Sequence, residues 1–321
     1  MRGSEPEVDI TVDVAIGDRP NGAPEPKFSM MEYVALDLPF AEELRVFTAA
    51  GAGGVGLSLF KPPRSRRGPV AEMVEVVRAS GTQVTYCWPE VPSVLPIPGF
   101  AGSRNWRERV DAMVARVTDI ARLGSLGVGC VTGPAGELAE AEAWRIVVDG
   151  LREVASAADA AGLRVAVEPI HPDEGDVFSF VSTISGAARL IADIGLANVG
   201  IVADVWHLHG QADVVVELER HADMIDLVHV CDRREPTRST CDRVLPGDGV
   251  ADVVGILGAL KRAGYNGFYE LEVLSDDGSC GHDFADSLWR MDPGELVAIG
   301  RQKFLDCYRR APGGEVDQLD E

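Results

Sequence analysis

The chain has 321 residues, 46% of them hydrophobic, and a mean hydropathy near zero, so it can bury a large core and fits one large α/β barrel or two ordinary domains. A formal charge of −21 and a pI near 4.6 argue against a nucleic-acid partner, because phosphate binding depends on clustered Lys and Arg. No apolar run approaches the roughly 18 to 20 residues of a membrane span, the N-terminus lacks a signal-peptide core, and six cysteines without CxxC spacing read as reduced thiols, which together predict a cytoplasmic chain.

In chain order, residues 1–27 are polar, acidic or Pro/Gly-rich and read as an N-terminal arm. Eight β-branched runs then alternate with longer amphipathic stretches. The runs fall at 28–36, 55–59, 83–88, 127–132, 164–170, 199–205, 225–231 and 268–274. After the second comes the basic run KPPRSRR at 61–67, whose two prolines predict a solvated loop. Between the third and fourth, Trp106, Val110, Met113, Val114, Val117 and Ile120 recur at helical spacing. Between the fourth and fifth, Trp144, Val147, Val148, Leu151, Val154, Ala155 and Ala158 do the same. Gly124, Gly162 and Gly264 follow helical stretches as C-terminal stops. Strand and helix repeated through short loops demand a parallel sheet, and eight units predict closure into a single (β/α)8 TIM barrel over 28–310, with an acidic tail at 311–321.

A barrel of this kind carries its chemistry at the C-terminal ends of the strands. There the fifth run ends in Glu168, the sixth in Asp204 and His207, the seventh in His229 and Asp232, and the eighth in Glu270 and Glu272, which share a face by alternation. A carboxylate inside an apolar strand costs several kcal/mol unless paired, protonated or bound to a metal. The cations nearest in sequence, Arg164, Arg233 and Arg234, lie at the far end of the fifth run or past the seventh, so pairing accounts for only part of the set. Glu168, Asp204, His229 and Glu272 converging on one divalent cation satisfy all four. Three oxygen donors and one nitrogen suit Mn²⁺ first, with Mg²⁺, Co²⁺ and Zn²⁺ as further candidates. His207 is favoured over His209 to lie just above the metal. His171 and His221 read as surface residues, Trp88 and Trp206 are placed to stack on a sugar face, and 275–284 (SDDGSCGHDF) reads as a candidate lid or a plain surface turn.

The segments VAVEPIHP, VGIVADVWHLHG, DLVHVCDRRE and DRVLPGDGVADVVGILGALKRAGYNGFYELEV resemble, in order, the sugar phosphate isomerase/epimerase family, the xylose-isomerase-like TIM barrels. That resemblance implies one divalent metal held by Glu168, Asp204, His229 and Glu272, the family spacing GYxGxxxxE from Gly264 selecting Glu272 over Glu270. It places His207 and Arg243 at substrate-contacting positions and implies a homo-oligomer acting on a small-molecule sugar. AP endonucleases of the same superfamily need histidines on early strands and an Asp-Arg-His triplet. Here every histidine lies at or after 171 and the triplet reads Asp242-Arg243-Val244, which argues against DNA repair.

The chemistry implied is proton transfer by Glu168 and Glu272 on a ketose or keto-sugar through a cis-enediolate, with the metal as Lewis acid. Reprotonation makes an isomerase or epimerase. Expulsion of a β-leaving group makes a lyase or dehydratase instead, similar to inosose dehydratases or to catalytic subunits that cleave 3-keto C-glycosides with a small β-rich partner subunit. A sugar-binding scaffold barrel is the non-enzymatic alternative.

Overall fold

The computed structural model describes residues 25–60 and 65–313, so nearly all of the predicted arm, most of the tail and residues 61–64 lie outside it. Ten strands follow one another: β1 (Lys27–Met31), β2 (Gly54–Ser58), β3 (Gln83–Trp88), β4 (Gly127–Cys130), β5 (Arg164–Val167), β6 (Val199–Asp204), β7 (Ile225–Val230), the short pair β8 (Asp232–Arg233) and β9 (Arg243–Val244), and β10 (Phe268–Leu271). All but β8 and β9 form one closed parallel barrel, with β1 bonded to β10. The predicted single (β/α)8 barrel is therefore the observed fold, and β8–β9 is an antiparallel ribbon on its rim.

Parallel neighbours need a crossover, and helices supply it by laying apolar stripes on the sheet. In α3 (Trp106–Arg122) Val110, Met113, Val117 and Ile120 are buried, and Asn105 caps the first turn by accepting the Arg107 N–H. In α4 (Glu140–Ala160) the buried stripe runs from Ala143 to Ala158. Gly124, Gly162 and Gly264 take φ of 73°, 75° and 75° after their helices, a left-handed conformation that a side chain would strain. Among the described residues no helix is long and apolar enough to cross a membrane.

Strand register sets the level of the functional groups. Asp204 and Glu270 both pair with His229 in Cα register, and Ser29 pairs with Glu270, so four neighbouring strands place polar residues in one layer near their C-terminal ends. A register shift between Ile201 and Val202 precedes that layer on β6, the kind of irregularity that re-aims side chains beside a site.

Two expectations need correction. Several strands stop short of their apolar runs: β1 ends at Met31 and passes into a turn at Glu32–Val34, β5 ends at Val167 and β10 at Leu271. Beyond these points the chain leaves the ladder, and its apolar residues line a cavity instead of continuing the sheet. The basic run is not wholly solvated either. The Arg67 side chain is buried and donates to both carboxylate oxygens of Glu32 at 2.7 Å, while Ser58 Oγ donates to Glu32 Oε1 at 2.7 Å. A buried carboxylate at the end of β1 needs a cation, and the loop after β2 supplies it.

Small residues leave room inside the barrel. A Cβ built on Gly56 of β2 would overlap the Glu270 carboxylate and lie 2.7 Å from Met31 Sδ. Gly56→Ala is therefore expected to destabilise the protein by roughly 1–3 kcal/mol through overpacking. Urea unfolding followed by circular dichroism checks this, and a variant as stable as the parent contradicts it.

Candidate metal centre and substrate cavity

Asp204 ends β6 and caps α6 (Val205–Leu208), its Oδ1 accepting the Trp206 N–H at 2.7 Å. That bond orients the carboxylate and leaves Oδ2 facing the strand ends. Glu168 and Glu272 stand just past β5 and β10, and His229 lies in β7. One ligand atom from each of Glu168, Asp204, His229 and Glu272 lies within 4.8 Å of the others, and all four residues are buried, so this group could hold a metal ion. The four residues chosen from the sequence are thus brought together.

His229 stands in the middle of this group. Its Nδ1 is 3.2 Å from Glu272 Oε2, 3.3 Å from Glu168 Oε1 and 4.0 Å from Asp204 Oδ2. Neither Nδ1 nor Nε2 makes a hydrogen bond, although both are fully buried. On the other side of the ring Nε2 lies 3.4 Å from Glu270 Oε1, and the Thr85 hydroxyl donates to Glu270 Oε2. Carboxylate, imidazole and an unpartnered nitrogen in sequence is the arrangement by which an outer carboxylate fixes a metal-binding histidine. Glu270, set aside as a ligand, accordingly has a positioning place behind His229.

Arg243 changes the charge balance inferred from sequence. It is buried, and its Nη1 donates to Asp204 Oδ2 and to Glu272 Oε2, both at 2.7 Å. The resemblance placed it against substrate, and it does line the cavity, but it is also the pairing cation that sequence neighbours did not provide. With the three carboxylates ionised and His229 neutral, the state in which they can hold a metal, one guanidinium leaves two negative charges for a divalent cation to neutralise.

The protonation equilibria follow the same charges. Burial pushes the Glu168 carboxyl up to about 7, with Asp204 and Glu272 adding to the rise and His229 opposing it. Burial also works on Glu272, but Arg243 and His229 outweigh it and hold that carboxyl well below the usual range. For His229 burial is again overcome, here by Glu272, Glu168 and Glu270, and the imidazole is held well above its ordinary value. Burial pushes His207 down to about 3, so it is neutral at physiological pH.

His207 lies in α6 and lines the cavity, its Nε2 3.8 Å from Asp204 Oδ2. Its Nδ1 accepts the backbone N–H of His171 at 3.2 Å, which assigns the proton to Nε2. His171 is therefore more than a surface residue, because its backbone fixes the tautomer of His207. Trp206 requires correction. It is fully buried and absent from the cavity wall, lying instead under two guanidiniums, Arg233 at 4.3 Å and Arg243 at 5.4 Å from its ring centroid. Capping by Asp204 turns the indole inward, where it supports Arg243. Trp88 does line the cavity, its ring 5.3 Å from that of His229.

Two acidic residues serve the loops. Asp232 accepts the backbone N–H groups of Gly247 and Ala251, both at 2.9 Å, and so pins the PGDG loop. Asp276, also buried, accepts those of Gly278, Cys280 and His282, so 276–282 is a turn closed on itself and Cys280 contributes to the cavity wall.

Comparison with known proteins agrees with this geometry. A family described as xylose isomerase-like TIM barrel matches residues 44–299. The putative hydroxypyruvate isomerase of Streptomyces coelicolor is 27% identical over 269 residues, 78% of this chain and 90% of that protein. The inosose isomerase of Halalkalibacterium halodurans is 31% identical over 144 residues, 43% of this chain and 49% of that protein, so the match spans about half of its length. Relatives include isomerases, epimerases and dehydratases. The crystal structure of protein SMc04130 from Sinorhizobium meliloti 1021 superposes with a TM-score of 0.74 at 26% identity, covering 90% of this chain and 99% of that one.

Proposed function

The chain belongs to the xylose isomerase-like TIM barrel family, and from that premise we propose that it is a divalent-metal-dependent isomerase or epimerase of a ketose or keto-sugar. The observation that carries this reading is the buried Glu168, Asp204, His229 and Glu272 group with an unpartnered His229 nitrogen at its centre. The donor set fits a cation: three carboxylates and an imidazole, with a fourth carboxylate behind the histidine. Manganese is the first candidate. When bound, the cation would polarise a substrate carbonyl as a Lewis acid.

The remaining steps belong to the protein. Glu168 takes the proton from the carbon next to the carbonyl, giving a cis-enediolate, and gives that proton back to the neighbouring carbon, while Glu272 stands across the site as the ionised second carboxylate. His207 donates from Nε2 to a substrate oxygen, and Arg243 keeps Glu272 ionised while offering its guanidinium to the cavity. Apolar cavity walls exclude water that would otherwise compete for the intermediate.

Solvent exchange tests the reading. With Mn²⁺, Mg²⁺, Co²⁺ or Zn²⁺ added in turn, incubation with a panel of ketoses and keto-glycosides in D₂O is expected to place deuterium at the carbon next to the carbonyl, followed by NMR. Chelator should abolish the exchange. Loss of a β-substituent would favour the dehydratase reading, which the dehydratase relatives support. Binding without exchange under every metal would leave a scaffold and sink the proposal.

A further inference from the structure

The cavity above the centre has a volume of about 410 Å³ and two unlike parts. Its polar groups come from segments after β5 to β10: Glu168, His207, Arg243 and Glu272, together with Glu174 and Thr240, which bond to each other at 2.7 Å. The rest of the wall is aromatic. Tyr33, Phe60, Phe100 and Phe178 follow one another with ring centroids 6.0, 6.2 and 5.7 Å apart, and Trp88 and Trp289 extend the surface. These rings come from segments after β1, β2, β3, β5 and β10, so five separate stretches of chain supply the same chemistry to one space. Phe100 remains 39% exposed.

We propose that the cavity takes a keto-sugar joined to a flat apolar group, an aryl keto-glycoside, in preference to a free ketose. The inference rests on the keto-sugar reading above. A free ketose can stack one C–H face on a ring such as Trp88, but its edges carry hydroxyls, and each one pressed against the further rings loses its water without gaining a partner, which weakens binding roughly tenfold. The polar lining suffices for one sugar ring beside the metal centre. An aryl group makes no such demand and finds edges and faces at the spacing that aromatic pairs prefer. It would also cover the exposed Phe100 ring, an apolar surface at the mouth of a site.

The test compares phenyl 3-keto-β-D-glucopyranoside, methyl 3-keto-β-D-glucopyranoside and free 3-keto-D-glucose on the Mn²⁺-loaded full chain, by calorimetry for Kd and by deuterium exchange for turnover. Phenyl glycoside should bind about tenfold more tightly than either of the others. Phe100→Ala should bring that ratio toward one, and Phe100→Trp should restore it. Equal or tighter binding of the free sugar overturns the inference, and if exchange still occurs the isomerase reading survives it. A phenyl preference in binding without exchange upholds the aryl pocket and overturns the isomerase reading. Failure of all three probes to bind overturns both.

Discussion

Glu168→Gln is expected to lower kcat by about 10²- to 10⁴-fold while the protein still takes up its metal, the range by which a positioned acid–base group accelerates proton transfer. The two glutamates of the centre are not equivalent. Burial, with Asp204 and Glu272 adding to it, pushes Glu168 up to about 7, whereas Arg243 and His229 hold Glu272 well below the usual range despite its burial. Environments that drive two neighbouring carboxyls apart assign them different duties. Without the cation Glu168 is the carboxyl more ready to take up a proton, and Glu272 is held as an anion beside Arg243. The amide oxygen of glutamine can still face the cation, so metal content should persist while the proton acceptor is gone. Metal analysis of the purified variant, set beside its steady-state rate and its deuterium exchange, checks this. A metal-loaded variant with more than a tenth of the parent kcat would remove Glu168 from the chemistry.

Much of this arrangement could be read before folding. Strands buried on both faces are continuous β-branched runs, and eight of them separated by 3.6-periodic stripes at 106–120 and 144–158 identify the barrel. The C-terminal ends of the fifth to eighth runs then offer Glu168, Asp204, His229 and Glu272, the last preferred to Glu270 only through the family spacing. Strand ends were harder to read, for a reason that bears on function. Leu36, Ile170 and Leu274 close three runs that overshoot their ladders, and all three line the cavity. Apolar residues meant for a ligand pocket look, in sequence, like apolar residues meant for a sheet.

Contacts between distant segments were not legible at all. Arg67 meets Glu32 across 35 residues, and Arg243 meets Asp204 across 39. A lone arginine in a polar loop carries no mark of burial. Trp206 sits in the helical turn that Asp204 caps, and its indole lies under the two arginines instead of on the cavity, a packing that no residue type or spacing announces. Glu270 could have been recognised as the support of His229, since the two lie on adjacent strands, but only the register that pairs them shows it.

Arg243→Met should destabilise the chelator-treated protein by about 3–5 kcal/mol, because it removes the guanidinium that two buried carboxylates share. Nη1 of Arg243 lies 2.7 Å from both Asp204 Oδ2 and Glu272 Oε2, and Asp204 is wholly shut off from solvent. Methionine keeps most of the side-chain volume over Trp206, which separates loss of charge from loss of packing. A divalent ion lying among the same oxygens would replace part of the missing charge. Saturating Mn²⁺ should therefore recover much of the deficit, more in the variant than in the parent, since ligand binding stabilises the folded state in proportion to its affinity. Urea unfolding of both proteins, with chelator and with Mn²⁺, provides the four stabilities required. If the deficit is the same with and without metal, the cation does not share those carboxylates with Arg243. The centre would then have to be redrawn around Glu168 and His229 alone, with Asp204 and Glu272 left as the partners of a structural guanidinium.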